Sequence, residues 1–241
     1  MFEKFKSLGN SDPNPKEQAE KSIAMGDDQV REKNWDKAIK YYLQALEFDS
    51  SDGLTHNMIG AAYYEKGDLE KAIMYYDKAI ELDPNAYSFY MNRGQVHASL
   101  KDNMQAISDH STAIELDSTK PYPFLYRGAA YQGVNDFNHA ISDYSQAINL
   151  DQNFDLAYFL RGQIYANMGE LDQAIGDWSF VINLNVTTQL IEDAYYNRAK
   201  AYMQKGMLKD SISDLENILQ LKPNHPDRAK IEQLINGLRQ R

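Results

Sequence analysis

The sequence predicts an all-α protein built from stacked helical hairpins, and three observations support this fold class. A pattern of small and aromatic residues recurs every 34 residues along most of the chain. Each recurrence contains two amphipathic stretches of helical length, separated by a glycine, an asparagine or a lysine. A single hairpin of this size cannot bury its apolar stripe, so neighbouring hairpins are expected to stack.

Six repeats are predicted over residues 19–225. They occupy residues 19–52, 53–86, 87–120, 121–154, 155–188 and 192–225. Three inserted residues, Gln189 to Ile191, precede the last repeat and are expected to form a loop. Residues 1–18 are expected to be a flexible segment in which Phe2 and Phe5 are apolar. Residues 226–241 are expected to form an amphipathic helix that caps the last repeat.

Each element of the repeat follows from residues at fixed positions, counted from the first residue of the repeat. Position 8 of the first helix is small, which allows close approach of another helix: Gly26, Gly60, Gly94, Gly128, Gly162 and Ala199. The turn at position 15 tolerates or needs a positive φ: Lys33, Gly67, Lys101, Asn135, Gly169 and Gly206. Position 20 of the second helix is also small: Ala38, Ala72, Ala106, Ala140, Ala174 and Ser211. Aromatic residues predominate at positions 11 and 24, as in Tyr63 and Tyr76.

This pattern resembles the tetratricopeptide repeat family. The second repeat carries the family's residues most completely: Ile59, Gly60, Tyr63, Ala72, Tyr76, Ala79 and Pro84. The resemblance covers residues 19–225 and implies a right-handed superhelix of helix-turn-helix hairpins. It also implies a protein-binding scaffold that recognises its partner on a concave surface lined by first helices.

A charged pair lies within the apolar stripes of four repeats. Arginine at position 7 accompanies aspartate at position 23 in Arg93 and Asp109, Arg127 and Asp143, Arg161 and Asp177, and Arg198 and Asp214. Repeats one and two instead carry Met25 with Tyr41 and Ile59 with Tyr75. An anion-binding site and a structural ion pair both fit an arginine in this position. Because the two charges occur together, a bridge within each repeat is favoured, and an anion site is the alternative.

The resemblance places the binding surface at positions 2, 5, 6, 9, 12 and 13 of the first helices. Among these 24 positions in repeats two to five, only Glu65 is charged. Apolar and aromatic residues with interspersed amides are typical of a peptide-binding groove. We term this surface the first-helix face, and its predicted binding residues are Asn57, Tyr64, Met91, Asn92, Gln95, Tyr122, Leu125, Tyr126, Phe159, Gln163, Tyr196 and Asn197.

Composition and motifs exclude or disfavour other classes of function. The net charge of −10 and the lack of basic runs argue against nucleic-acid binding, and the absence of cysteine excludes disulfides and thiolate metal sites. His97 and His110 replace aromatic residues in one repeat, where core packing is favoured over a metal or pH-sensitive site. No catalytic constellation is recognisable, so neither an enzyme nor a cofactor is expected. The carboxylate clamp of Lys, Arg and Asn known in the family is not matched.

The sequence therefore favours a non-catalytic scaffold that binds a peptide segment of another protein, in the assembly of a multiprotein complex. The alternative is self-association through exposed repeat faces or the N-terminal segment. Lys4 and Lys6 interrupt any signal-like apolar core, and no stretch is long enough to span a bilayer. We expect a cytoplasmic protein without membrane contact, or a periplasmic one if a signal sequence has been removed.

Overall fold

The computed structural model describes residues 14–184 and 187–240, which contain thirteen α-helices and no β-strand. The all-α prediction is confirmed. In chain order the helices are α1 Pro15–Arg31, α2 Trp35–Phe48, α3 Gly53–Lys66, α4 Leu69–Leu82, α5 Tyr87–Ser99, α6 Asn103–Leu116, α7 Pro121–Gly133, α8 Phe137–Leu150, α9 Asp155–Asn167, α10 Leu171–Asn183, α11 Thr188–Gln204, α12 Leu208–Leu221 and α13 Arg228–Arg239. Within these ranges no helix combines the length and apolarity that crossing a membrane requires.

Every hairpin turns at position 15, where the backbone is left-handed as predicted. The φ angle is 87° at Gly67, 82° at Gly169 and 74° at Gly206. The non-glycine residues Lys33, Lys101 and Asn135 adopt φ angles of 57°, 61° and 62°. The residue that follows donates its backbone N–H to the carbonyl of position 11, which closes the first helix with a Schellman-type bond.

The chain divides into two compact units between Leu116 and Asp117. Unit 1 contains α1 to α6 and unit 2 contains α7 to α13. Within each unit the two helices of a hairpin pack together, and each second helix packs on the first helix of the next hairpin. Successive first helices also touch, as α3 touches α5, and α9 touches both α7 and α11, whereas successive second helices are not comparably close. The first helices therefore line the inner side of each unit.

A ring at position 24 packs against the small residue at position 8 of the same hairpin. A Cβ atom added to Gly60 or Gly128 would lie 2.8 Å from a ring carbon of Tyr76 or Tyr144, respectively. Tyr42, His110 and Trp178 approach their own glycines in the same way. All five rings are buried. Close contact between the two helix axes thus requires the absence of a side chain at position 8.

The first helix begins earlier than the sequence analysis predicts. Residues 15–18 belong to the predicted flexible segment, but they form the first turn of α1. The side chain of Asn14 accepts a hydrogen bond from the backbone N–H of Lys16 at 3.2 Å, and Pro15 occupies the first helical position. Residues 1–13 of the predicted segment lie outside the described residues.

The prediction of a loop before the last repeat is wrong, because Gln189–Ile191 lie in the first turn of α11. The Gln189 amide donates to the carboxylate of Asp193 at 3.1 Å, one turn further along the helix. Its carbonyl oxygen accepts a hydrogen bond from Lys222 at 2.9 Å. The inserted residues therefore lengthen α11 and connect it to the end of α12.

The last helix, α13, packs against the final hairpin. Ile231, Ile235 and Leu238 form a buried cluster with Leu215 and Ile218 of α12. Its exposed residues include the polar Lys230, Glu232 and Gln233. This amphipathic arrangement is what a helix needs to cover the end of a repeat stack.

We predict that Gly128→Ala destabilises the protein, whereas Gly176→Ala in α10 does not. The new methyl group at position 128 overlaps the buried Tyr144 ring, and overpacking of this kind costs about 1–3 kcal/mol of unfolding free energy. No atom lies within 4 Å of a Cβ added at Gly176, so that change should add up to about 1 kcal/mol through helix propensity. Urea denaturation followed by circular dichroism measures both. Equal stability of the two variants would contradict this description of the hairpin.

Candidate functional site

The four charged pairs bridge the two helices of their own hairpins. In each pair the arginine Nε donates to one carboxylate oxygen and Nη2 donates to the other. These distances are 2.9 and 2.6 Å for Arg93 and Asp109, 2.8 and 2.7 Å for Arg127 and Asp143, 2.9 and 2.7 Å for Arg161 and Asp177, and 2.8 and 2.7 Å for Arg198 and Asp214. Two parallel hydrogen bonds of this length are the strong geometry for arginine and carboxylate.

The arginines also connect consecutive hairpins. Nη1 of Arg93 donates to Asp77 of the preceding repeat at 2.6 Å. Nη1 of Arg161 donates to Ser145 at 2.9 Å, and Nη1 of Arg198 donates to Ser179 at 2.7 Å. One planar guanidinium therefore holds three helices in register. Its position is a structural requirement of the stack, which accounts for a charge within a largely apolar stripe.

Burial makes each pair dependent on both partners. The four aspartates are buried, and aromatic rings lie near the guanidinium groups, as Tyr158 and Tyr165 do at 5.5 and 5.8 Å from Arg161. The hydrogen bond to Asp109 raises the pKa of Arg93, against the opposing effect of burial. Removing one partner would leave a buried charge without compensation. These arginines thus serve the fold and do not present a free anion site.

In unit 1 the first-helix face carries amide and hydroxyl groups that contact each other across helices. Asn92 of α5 donates to the side-chain oxygen of Asn57 of α3 at 2.9 Å. The hydroxyl groups of Tyr64 and Ser99 lie 3.1 Å apart between the same helices. Met91 and Gln95, the other two predicted residues of this unit, are half-buried beside them. A carboxamide that makes one such bond retains further donor and acceptor capacity.

In unit 2 the first-helix face exposes two tyrosines and contains a cavity. Tyr122 of α7 is 52% exposed and Tyr196 of α11 is 47% exposed. The Tyr122 ring lies 6.2 Å from the half-buried Tyr126 ring and meets Phe154 edge-on at 5.1 Å. Large aromatic side chains held by other rings but open to solvent are suited to binding apolar groups.

The cavity in unit 2 has a volume of about 320 Å³ and lies between α9, α10 and α11. Its polar lining consists of Gln163 and Asn167 from α9 and Asn197, Lys200 and Gln204 from α11. Trp178, Leu171 and two alanines supply the apolar lining. Neutral amides therefore predominate, and the lining contains no carboxylate. Such groups can donate to and accept from a peptide backbone without requiring a particular charge.

Two predicted binding residues are misassigned. Leu125 is only 2% exposed and Phe159 only 8%, so both belong to the core. Phe159 packs in a cluster with Ala174, Trp178 and the small Ala194 of the next first helix. Its side chain fills the space that Ala194 leaves between α9 and α11. The remaining ten predicted residues are half-buried or exposed.

His110 occupies the aromatic position of its hairpin. Its ring is fully buried, and its Cε1 atom would lie 2.6 Å from a Cβ added at Gly94. His97 Nε2 lies 3.9 Å from the Asp109 carboxylate, which already pairs with Arg93. Within residues 14–184 and 187–240, no group of three His, Asp or Glu side chains is arranged to hold a metal ion.

Sequence reasoning missed two features of the inner surface. Gln204 lies at position 13 of the last repeat and lines the cavity, so the same rule that selected earlier residues could have found it. Leu234 of α13 lies beside Tyr196 in a second cavity. No repeat register applies to α13, and sequence position alone therefore gave no signal for this contact.

Comparisons with known proteins agree with this architecture. Residues 60–101 and 135–169 match a family model described as TPR repeat, and residues 192–225 match one described as tetratricopeptide repeat. No curated protein sequence gives a significant match.

Three solved structures illustrate the similarity. MamA is 26% identical, with a TM-score of 0.64 over 68% of this chain and 95% of that chain. YrrB, described as a TPR protein with an unusual peptide-binding site, is 23% identical, with a TM-score of 0.64 over 80% of this chain and 97% of that chain. PilF of Pseudomonas aeruginosa is 15% identical, with a TM-score of 0.76 over 91% of this chain and 98% of that chain.

Repeated helical hairpins whose first helices line the inner side of each unit define a helical repeat protein. The matched segments identify the repeats. The chain contains tetratricopeptide repeats, at residues 60–101, 135–169 and 192–225.

We predict that Arg161→Ile lowers the free energy of unfolding by about 3–5 kcal/mol, because Asp177 would remain buried without its partner. The double change Arg161→Ile with Asp177→Tyr should recover most of this loss. It reproduces Ile59 and Tyr75 of the second repeat, where Tyr75 stacks on Tyr63 at 5.4 Å. Tyr165 occupies the position of Tyr63 in the repeat to be changed.

Urea denaturation of the parent and both variants measures this prediction, and retained helicity should be checked by circular dichroism. A single variant as stable as the parent would show that the pair contributes little. A double variant no more stable than the single one would show that charge compensation is not the reason for the loss.

Proposed function

We propose that this protein is a non-catalytic scaffold that binds a peptide segment of a partner protein on its first-helix faces, in the assembly of a multiprotein complex. The observation that carries the proposal is the unit 2 face, where the exposed Tyr122 and an amide-lined cavity occur on neighbouring first helices. The similarity to YrrB, at 23% sequence identity, supports the fold alone. The case for a peptide depends on the side chains of this chain.

The composition of the face fits a peptide backbone. An extended peptide presents alternating N–H and C=O groups that need partners when water is displaced. Gln163 and Asn197 stand on opposite walls of the cavity and offer both donors and acceptors. In unit 1, Asn57 and Asn92 are already oriented by their mutual hydrogen bond. Side chains that are held before binding lose less conformational entropy when the ligand arrives.

The same faces offer apolar contacts for the side chains of a peptide. Leu54 in unit 1 and Tyr122 in unit 2 are each 52% exposed. Exposed apolar residues that cluster on one surface mark interaction sites more often than single exposed residues do. Aromatic anchors surrounded by polar groups are also the usual composition of an interface centre.

We predict that Tyr122→Glu and Gln163→Glu each weaken peptide binding, and that their combination weakens it more. A carboxylate at position 122 would lose its solvent contact beneath a bound peptide. At position 163 the change removes the N–H donors of the amide from a cavity that also contains Lys200. The peptides should be selected from a random display library on the immobilised parent protein. Fluorescence anisotropy then gives their affinities for the parent and the variants, with a loss of about tenfold or more expected from a change of 1.4 kcal/mol or more.

Met104→Glu is the matched control. Met104 is 67% exposed on the second helix α6, and its replacement by Glu adds the same charge as the other variants. It should leave the affinity unchanged. Peptides that bind the face variants as tightly as the parent, or that lose affinity for the Met104 variant instead, would contradict the proposal. Phe159 is unsuitable for this test, since its burial would confound binding with folding.

A further inference from the structure

A second cavity, of about 380 Å³, lies at the end of unit 2 between α11, α12, α13 and the segment that leads into α13. Ile218 and Ile231 are buried and form its floor. Tyr196 and Leu234 stand at its mouth, 47% and 36% exposed respectively. Leu234 is not part of the buried cluster that fastens α13 to α12. The cavity therefore combines an apolar floor with two partly exposed apolar side chains at its mouth. The rest of its lining is polar: Glu192, Asp193, His225, Asp227 and Lys230.

The walls of this cavity are held by hydrogen bonds. His225 Nε2 lies 2.9 Å from the Glu192 carboxylate, and His225 Nδ1 accepts from the backbone N–H of Asp227 at 3.0 Å. Lys222 also pairs with Glu192. Burial raises the pKa of Glu192, but the hydrogen bonds with Lys222 and His225 outweigh it, so the pKa lies below its usual value. The segment between α12 and α13 is thus fixed to α11, and the cavity is formed before any ligand binds.

One carboxylate at the cavity, that of Asp193, is available to a cationic ligand, although Lys200 lies 5.7 Å from the centroid of the Tyr196 ring. Glu192 is compensated by Lys222, and Asp227 is compensated by Lys230 at 2.5 Å. Asp193, by contrast, accepts from the neutral amide of Gln189. Its negative charge faces the cavity without a cationic partner recorded among the described residues. A suitable occupant would place an apolar side chain in the cavity and a lysine or arginine beside Asp193.

We propose that this cavity binds residues Phe2–Lys6 of a second copy of the chain. The segment contains two large apolar side chains, Phe2 and Phe5, two cations, Lys4 and Lys6, and one carboxylate, Glu3, so its side chains remain net cationic. Residues 7–13 separate it from Asn14, and seven residues can extend to about 25 Å. The segment can therefore contact a second copy that lies within about 25 Å of Asn14 while it remains attached. This contact joins the N-terminal end of one copy to the C-terminal end of another.

The contact can be tested separately from the proposed binding of a foreign peptide, although Tyr196 of the first-helix face also lines this cavity. It uses Asp193 and Leu234, whereas the peptide experiment uses Tyr122 and Gln163. Self-association is measured without any external partner. Failure of one experiment therefore leaves the other proposal standing.

Sedimentation equilibrium of the full chain over a range of concentrations tests the proposal. We expect concentration-dependent mass for the parent, and an association constant lower by about tenfold or more for Leu234→Glu and for the double change Phe2→Ser with Phe5→Ser. Gln233→Glu is the matched control, since it adds the same charge on the exposed side of α13. It should associate like the parent.

Charge reversal provides the second test. Asp193→Lys alone, and Lys4→Glu with Lys6→Glu, should each weaken association, while an equimolar mixture of these two variants should regain part of it. In the mixture the reversed segment of one variant meets the reversed cavity of the other, and the unchanged segment of the second variant meets the unchanged cavity of the first, so both contacts pair opposite charges. A parent that stays monomeric up to about 1 mM would overturn the proposal. So would association that Leu234→Glu leaves unchanged, or reversed variants that do not recover on mixing.

Discussion

The close contact between a ring at position 24 and a small residue at position 8 is the constraint on which the rest of the structure depends. A Cβ atom at Gly60, Gly94, Gly128 or Gly162 would fall within 3 Å of the opposing ring. The two helices of a hairpin can approach this closely only because the side chain is missing. Their spacing then brings positions 7 and 23 within reach of each other, which makes the arginine–aspartate bridge geometrically available.

The bridge extends this local constraint from one hairpin to the next. In Arg93, Arg161 and Arg198 the third guanidinium nitrogen reaches the preceding repeat, so the angle between hairpins is tied to the pairing inside them. The first helices line the inner side of each unit, and these contacts with the second helices fix their relative positions. Gln163 and Asn197, two of the predicted binding residues, line the same cavity for this reason. A rigid support of this kind lets recognition depend on the identity of the exposed residues.

Much of this fold follows from the sequence because each repeat encodes the same local geometry. Left-handed turns at Lys33, Lys101 and Asn135 were predictable from their register with the glycines of other repeats. The helical start at Pro15 and the extra turn at Gln189 were not, since capping and helix extension occur outside the repeat. The burial of Leu125 and Phe159 depends on how much space the neighbouring first helix leaves, which a position rule cannot specify.

The central claim is that partners contact the first-helix faces, and site-specific photocrosslinking in the native host tests it most directly. A benzophenone amino acid replaces Tyr122 in one variant and Met104, which is exposed on a second helix, in another. The account predicts that one partner protein is crosslinked from position 122 and that position 104 captures none of it. Crosslinking of the partner from position 104 but not from position 122 would contradict the account.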